Sequence, residues 1–248
     1  MNINNNHTIA ILAFNNHQLT IDNIKMLLND GYKNIFLFDN GSYPSFKAYA
    51  NQYELRYYRE KENIYVNPAW NKIFDMVNTK YLTLLNNDCY ILSKNYFNDI
   101  VCHMDNNNIV LSSCKTLNKN KTTIQKIKFY KKMYNFFHNK DLKFTTKARR
   151  QGWIMTLNLN EYKKCDYLIP NYLKIWYGDD WIWSQIIKHN RQYAIYTNRY
   201  ALHLRNKTLL KKEIQSVLNR DKDMMKKNGK EWVEESIYMK SRLFNRYV

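Results

Sequence analysis

The chain has 248 residues, of which 45% are hydrophobic and 15% aromatic, with only 5 Gly and 3 Pro and a formal net charge of +18 at pH 7. Such a chain can bury a proper core as one large domain or two small ones, which excludes a disordered or collagen-like protein. No apolar run approaches the roughly 18 residues of a membrane span.

The N-terminus, Met1 to His7, lacks the basic start and small-residue cleavage site of a signal peptide, so a cytoplasmic protein is expected. Cys89, Cys102, Cys114 and Cys165 are widely spaced and form no CxxC, which predicts reduced structural thiols over zinc or disulfides. The wealth of Asn, Ile, Lys and Tyr is that of an AT-rich genome, such as a virus or parasite. The charge points to a polyanion: nucleic acid, an anionic membrane or the diphosphate of a nucleotide. A Lys-biased surface without a partner is the plain alternative. The charge is uneven, however. Between Lys115 and Arg150, lysines and arginines (among them Lys119, Lys121, Lys126, Lys128, Lys131, Lys132, Lys140, Lys143, Lys147 and Arg149) face one acid, Asp141.

In chain order, Thr8 to Phe14 is an apolar run that predicts a strand, followed by the turn Asn15-Asn16-His17. Thr20 can cap a helix whose inner face is Ile21, Ile24, Leu27 and Leu28, and Gly31 ends it. Asn34 to Phe38 is a second strand, running directly into Asp39-Asn40-Gly41-Ser42. Strand, helix and strand within some thirty residues make a βαβ unit and imply a parallel sheet. Leu55 to Arg59 is a weaker third strand. Pro68 suits the first turn of a helix with Trp70, Ile73, Phe74 and Val77 on one side. Lys80 to Leu85 is a buried central strand ending in Asn86-Asn87-Asp88, the edge at which open α/β sheets bind ligands. Ser93 opens the next helix, with Tyr96, Phe97, Ile100, Val101 and Met104 inward, and Ile109 to Ser113 is the next strand.

The basic segment that follows carries Phe129, Tyr130, Met133, Tyr134, Phe136 and Phe137 at helix-like spacing, as core or lid residues before base-stacking ones. Gly152 to Leu157 returns to strand character. Asp179-Asp180 opens a helix with Trp181, Ile182, Gln185 and Ile186 along one side. Tyr193 to Tyr196 and Ala201 to Leu204 are short strands. From Thr208 onward the pattern is helical, with Leu210, Ile214, Val217, Leu218, Trp232 and Ile237 available for packing. No internal repeat or clear linker appears, so a single domain spans residues 1–248.

Asp39, Asp88, Asp179 and Asp180 all sit where strands or loops give way. The order of their motifs resembles the inverting, family-two glycosyltransferases of the GT-A fold over roughly residues 8 to 205. Phe38-Asp39-Asn40-Gly41-Ser42, the segment Asn63 to Asn71, Leu84-Leu85-Asn86-Asn87-Asp88, the Gly152 strand, Gly178-Asp179-Asp180-Trp181 and His203 fall in that family's sequence. The Asn-Asn-Asp ending is similar to the variant of the Asp-x-Asp motif in rhamnosyltransferase-like members. The resemblance implies a Rossmann-like, mostly parallel sheet flanked by helices. Residues 1–114 would form a nucleotide-binding half, 115–205 an acceptor half and 206–248 a helical C-terminal segment.

It further implies a nucleotide-sugar donor of the UDP, GDP or dTDP type and a glycan, glycolipid or protein acceptor, with the basic segment turned toward an anionic surface. A divalent cation, Mn2+ or Mg2+, would be held by Asp88 and His203, since a hard cation can neutralise a departing diphosphate. Asn86 stands where the family has a second carboxylate and removes one charge from that site. Asp39 would bind the nucleoside, Ala13, Phe14 and Asn15 would line the base pocket, and Asn71, Asn86 and Asn87 would complete the donor contacts. Asp180, with Asp179 beside it, takes the place of the catalytic base that removes the acceptor's proton.

Each residue has a plainer reading. Asp39 can close an Asn-Gly turn, His203 can be an ordinary hydrogen-bonded histidine, and the acidic pair can stabilise a helix N-terminus. Trp153, Trp176, Trp181 and Trp183 can stack on a sugar or simply fill a core. Two rival functions stand beside transfer: a basic α/β module that grips nucleic acid, for which no RNA- or DNA-binding signature is present, and a glycosyltransferase scaffold without activity.

Overall fold

A computed structural model describes residues 3–119, 122–136, 141–147, 151–204 and 212–228. The chain runs α1 (Ile3–Asn6), β1 (His7–Ala13), α2 (His17–Asn29), β2 (Ile35–Asp39), α3 (Lys47–Gln52), β3 (Arg56–Arg59), α4 (Val66–Met76), β4 (Tyr81–Asn86) and β5 (Cys89–Ile91). It continues with α5 (Tyr96–Asn106), β6 (Ile109–Lys119), α6 (Ile124–Phe136), β7 (Phe144–Thr145), β8 (Ile154–Asn158), α7 (Leu159–Tyr162), α8 (Gly178–Lys188), β9 (Gln192–Leu204) and α9 (Lys212–Asn228).

One nine-stranded sheet carries the order β3-β2-β1-β4-β8-β6-β9-β5, with β7 on β9. The first four strands are parallel, as the βαβ pattern requires. β8 enters antiparallel between β4 and β6, and β9 pairs parallel with β6. The sheet is therefore mixed, with β5, β7 and β8 opposing the rest.

Alternation along the strands feeds two layers. Ala10, Phe36, Phe38, Leu82 and Leu84 face α4, α7 and α8, where Ile73, Phe74, Tyr162, Ile182 and Trp183 are buried. Ile9, Ile11, Leu37, Tyr81 and Leu85 face α2 and α5, against Ile24, Leu27, Phe97 and Ile100. Each such side chain contributes roughly 1.5–3 kcal/mol on burial. A third, smaller cluster beneath α6 joins Met26, Tyr90, Leu92, Ile127, Leu202 and Leu204.

Several boundaries differ from those expected. Thr20 is not the cap: α2 starts three residues earlier, after Asn15 and Asn16 in left-handed conformations, and the Thr20 hydroxyl donates to the Asn16 carbonyl. Ser93 does not open α5 either, because Asn95 precedes its first turn and the Ser93 hydroxyl accepts from Tyr200 N–H. The two short strands after Gln192 are one 13-residue strand, with a register shift near Lys115 on its β6 neighbour. Residue 114, the expected limit of the first half, falls inside β6. Gly31 does end α2, with φ +86°. Of the expected C-terminal packing residues, Ile214 and Leu218 are buried, while Leu210, Trp232 and Ile237 lie outside the described residues.

Two buried polar side chains tie the layers. His7 Nε2 lies 2.8 Å from Thr83 Oγ1, which in turn meets Thr156 Oγ1 at 2.8 Å, so a polar chain crosses β1, β4 and β8. Burial pushes the His7 imidazole down to about 3. Asp221 of α9, fully buried, accepts three consecutive backbone N–H groups, from Lys174, Ile175 and Trp176.

His7 is neutral when folded and protonates in the unfolded chain below its ordinary value near 6.5, so the unfolded state binds more protons there and stability is lost as the pH is lowered through that range. Urea melts should show about 2 kcal/mol less stability at pH 5 than at pH 7 from this residue. His7→Gln should remove that difference, and equal pH slopes in the two proteins would refute it. Asp221→Ala, which strands three buried donors, should cost about 3 kcal/mol or more in the same assay.

Candidate active site

The carboxyl ends of β1, β2 and β4 lie side by side: Ala13 pairs with Asp39, and Leu12 with Asn86. Two strand spacings put Asp39 and Asn86 about 10 Å apart along this edge. Asn86 also donates its backbone N–H to the Trp153 carbonyl at 3.0 Å, which brings the start of β8 to the same edge.

Asp88 and His203 meet here. Asp88 Oδ1 is 3.5 Å from His203 Nε2, each side chain about one-seventh exposed. The backbone makes this pairing obligatory, because Cys89 is opposite His203 and the Asp88 carbonyl accepts from Leu204 N–H. His203 is further held by Trp153, whose indole stacks on the imidazole at 4.6 Å and 10°, and by Asn118 Oδ1 at 3.4 Å from Nδ1. The half-buried Asn86 side chain makes no hydrogen bond among the described residues. Asn87 is turned away: its amide donates to Thr20 Oγ1 of α2. Beneath the turn, Asn23 of α2 donates to the Asn86, Asn87 and Cys89 carbonyls.

The acidic pair of α8 adjoins the same place through glycine. A Cβ on Gly152 would fall 2.5 Å from Asp179 Cβ and 2.9 Å from its Oδ2, so only glycine lets α8 come this close to Trp153. Asp179 is half-buried and Asp180 is 4% exposed. Gly178 does the same against α4, where a Cβ would lie 2.0 Å from Asn67 Oδ1. Asn67 Nδ2 donates to the Trp176 carbonyl and its backbone N–H to that of Lys174.

Asp39 is committed to the fold. It is fully buried, its Oδ1 accepts from Ser42 N–H, and its Oδ2 accepts from Phe46 N–H and the Tyr57 hydroxyl. Burial, with the Asp39 carboxylate, pushes the Tyr57 phenol up to about 12 and keeps it a donor. Arg59 Nε stands 3.6 Å from the same oxygen. Asp39 thus shapes the 39–46 loop, as the turn reading anticipated. That loop is zipped to Asn15, which donates its N–H to Ser42 Oγ and accepts from Tyr43 N–H. Ala13 is buried and its carbonyl accepts from Asn40 N–H, whereas Phe14 and Asn15 remain half-exposed beside the loop.

Asn71 is not brought into this group. Its amide is used in both directions on the Ile169 backbone, joining α4 to the segment before α8. Asp88 and His203 thus meet at this edge, Asp179 reaches the start of β8 through Gly152, and Ala13, Phe14, Asn15 and Asp39 lie at the β1–β2 end. Trp153, Asn67 and Asp221 support these residues through contacts that no local sequence pattern announces. Among the described residues no group of three or more His, Cys, Asp and Glu side chains is placed to hold a metal. Two protein donors, Asp88 and His203, with the Asn86 amide beside them, suit a hard or borderline cation whose other ligands come from a diphosphate and water.

The model of Glycosyl transferase family 2 matches residues 8–159. Among curated proteins none matches the sequence significantly. Solved structures share the fold at low identity. The mannosyltransferase PcManGT from Pyrobaculum calidifontis, in complex with GDP-Man and Mn2+, superposes with a TM-score of 0.62 at 10% identity, over 82% of this chain and 58% of that one. TarS 1-349 of S. aureus gives 0.56 at 14% identity, over 90% and 74%. GalNAc-T7 with UDP, GalNAc and Mn2+ gives 0.59 at 11% identity, over 79% and 43%. The chain thus spans well under two-thirds of the first and third of these proteins. With its strand order, its mixed sheet and a family match that covers more than half of its length, the chain belongs to glycosyl transferase family 2 and has the GT-A fold.

Proposed function

We propose that the protein is a metal-assisted, inverting glycosyltransferase that moves a sugar from a nucleotide diphosphate to an acceptor hydroxyl. The observation that carries this reading is the Asp88–His203 pair, 3.5 Å apart at the carboxyl edge of the parallel strands and held there by main-chain pairing. A divalent cation bound at that pair would offset the charge that builds on the leaving diphosphate. Asp88 and His203 orient the donor's phosphates by the same token, and the half-exposed Phe14 and Asn15 border the nucleoside. Asp39 acts through the 39–46 loop that it organises, as a positioning residue.

Inversion needs a base on the side of the sugar opposite the leaving group. The N-terminus of α8 supplies two carboxylates, and Asp180 stands in the family's position for that base. Asp179, over Gly152 and next to Trp153, fixes how closely α8 approaches the sheet edge. The donor class is expected among UDP, GDP and dTDP sugars, and the neighbours' GDP-Man and UDP complexes favour testing those two first.

A nucleotide that binds only the folded chain should raise its melting temperature by about 5–10 °C at a hundred times its Kd. Mn2+ should enlarge that shift, EDTA should cancel the enlargement, and Asp88→Ala should abolish the metal's share. No shift with any nucleotide, under conditions in which an oligonucleotide does stabilise, would favour the nucleic-acid-binding alternative.

Asp180→Asn should lower turnover by about 10²–10⁴-fold while the nucleotide-induced shift persists. A larger loss in Asp179→Asn would move the base to Asp179. Full turnover in both variants would remove the pair from the chemistry.

A further inference from the structure

Helix α6 carries an exposed apolar face. Its Ile127 is buried on the small cluster formed with Met26, Tyr90 and Leu202, and Lys131, on the inner side, pairs with Asp30 Oδ2 at 2.5 Å. The outer side carries large apolar groups: Phe129 is 65% and Phe136 83% exposed. Seven residues apart, they fall on one line of the helix, with the half-exposed Met133 between them. Lys128 and Lys132 flank that line on one side and Lys126 on the other, and the helix contains no acidic residue. The same apolar groups and Lys132 line an open cleft of about 860 Å³ whose lining also includes Lys94 and Asp30, the latter neutralised by its pairing with Lys131.

An apolar ridge between rows of lysines is the pattern of a helix lying in a membrane interface, with its ring side chains at the headgroup–acyl boundary and its ammonium groups at lipid phosphates. We propose that α6 seats the protein on an anionic lipid surface in this way. Charge complementarity selects that occupant: the chain carries +18, and the stretch around α6 has almost no acid to offset its lysines. The same like charge opposes a second copy at this face. Nucleic acid would meet the lysines equally well, but a continuous Phe129–Met133–Phe136 ridge offers it little, since a thioether is no stacking platform. Among the described residues no helix is long and apolar enough to cross a membrane. The proposal does not depend on the transferase reading.

Co-sedimentation of the full chain with phosphatidylcholine vesicles, with and without phosphatidylserine, tests it. Binding is expected only to the serine-containing vesicles and should weaken as salt is raised. Phe129→Ser with Phe136→Ser should lower the partition by about tenfold while the protein still melts cooperatively, since both rings are largely exposed. Lys128→Glu with Lys132→Glu should lower it comparably. Equal binding to both vesicle types, binding untouched by either double variant, or oligonucleotide binding without vesicle binding would each overturn the proposal. So would a lipid-free dimer that the phenylalanine variant dissociates.

Discussion

The candidate site depends on where the start of β8 is forced to lie. β8 enters antiparallel beside β4, and its register makes the Trp153 carbonyl the partner of Asn86 N–H. Three consequences follow from that one backbone bond. The Trp153 ring falls against His203, Gly152 is left facing Asp179, and the end of β4 is fixed before its Asn-Asn-Asp turn begins. A register slip of one residue would turn Trp153 to the other face of the sheet and separate these groups. The apolar pairs Leu84–Met155 and Leu82–Leu157, all buried, hold the register against such a slip.

Beyond the strand ends the edge is built of loops, and loops bring backbone donors and acceptors that a buried site must satisfy. Short polar side chains do this throughout. Asn40 donates to Asn63 and the Tyr65 carbonyl and accepts from Ile64 N–H, Asn67 serves Trp176, and Asn23 serves three carbonyls under the β4 turn. Asp39 and Asp221 do the same for donors, each with two or more N–H groups. Hydrogen bonds to charged groups contribute roughly 1.5–3 kcal/mol each, more than neutral ones, which suits positions where a loop must hold one shape. Through Asp221, α9 fixes the 174–176 segment that leads into Asp179 and Asp180, although it lies far from them in sequence.

This division explains what could be read from the chain and what could not. Strands β1, β2, β4, β6 and β8 were legible because their apolar runs are long and end in polar turns, and the βαβ spacing gave the parallel half. The acidic positions were legible as strand-end and helix-start residues; the structure sets Asp88 against His203 and packs Asp179 on Gly152. The two-residue β7 and three-residue β5 are too short for any periodicity, and β9 hides behind the polar residues Thr197, Asn198 and Arg199. Arg199 is nonetheless fully buried, paired with Asp99 at 2.7 Å, a tertiary contact with no local signature. For Asp39 and Asn71 sequence position could not say which way the side chain would be used, since a carboxylate or amide at a turn serves ligand and backbone equally well.

Asn86 alters the electrostatics of the edge in a definite direction. A carboxylate there would add a second negative charge two residues from Asp88, and like charges close together repel. The amide removes that repulsion, and with it much of the demand for a tightly held cation before a diphosphate can approach. The whole chain adds a net positive field that draws anions toward it. On the proposed transferase reading, a site of this composition would receive its cation largely as part of the nucleotide complex, with Asp88 and His203 supplying orientation and the ligand most of the metal's coordination.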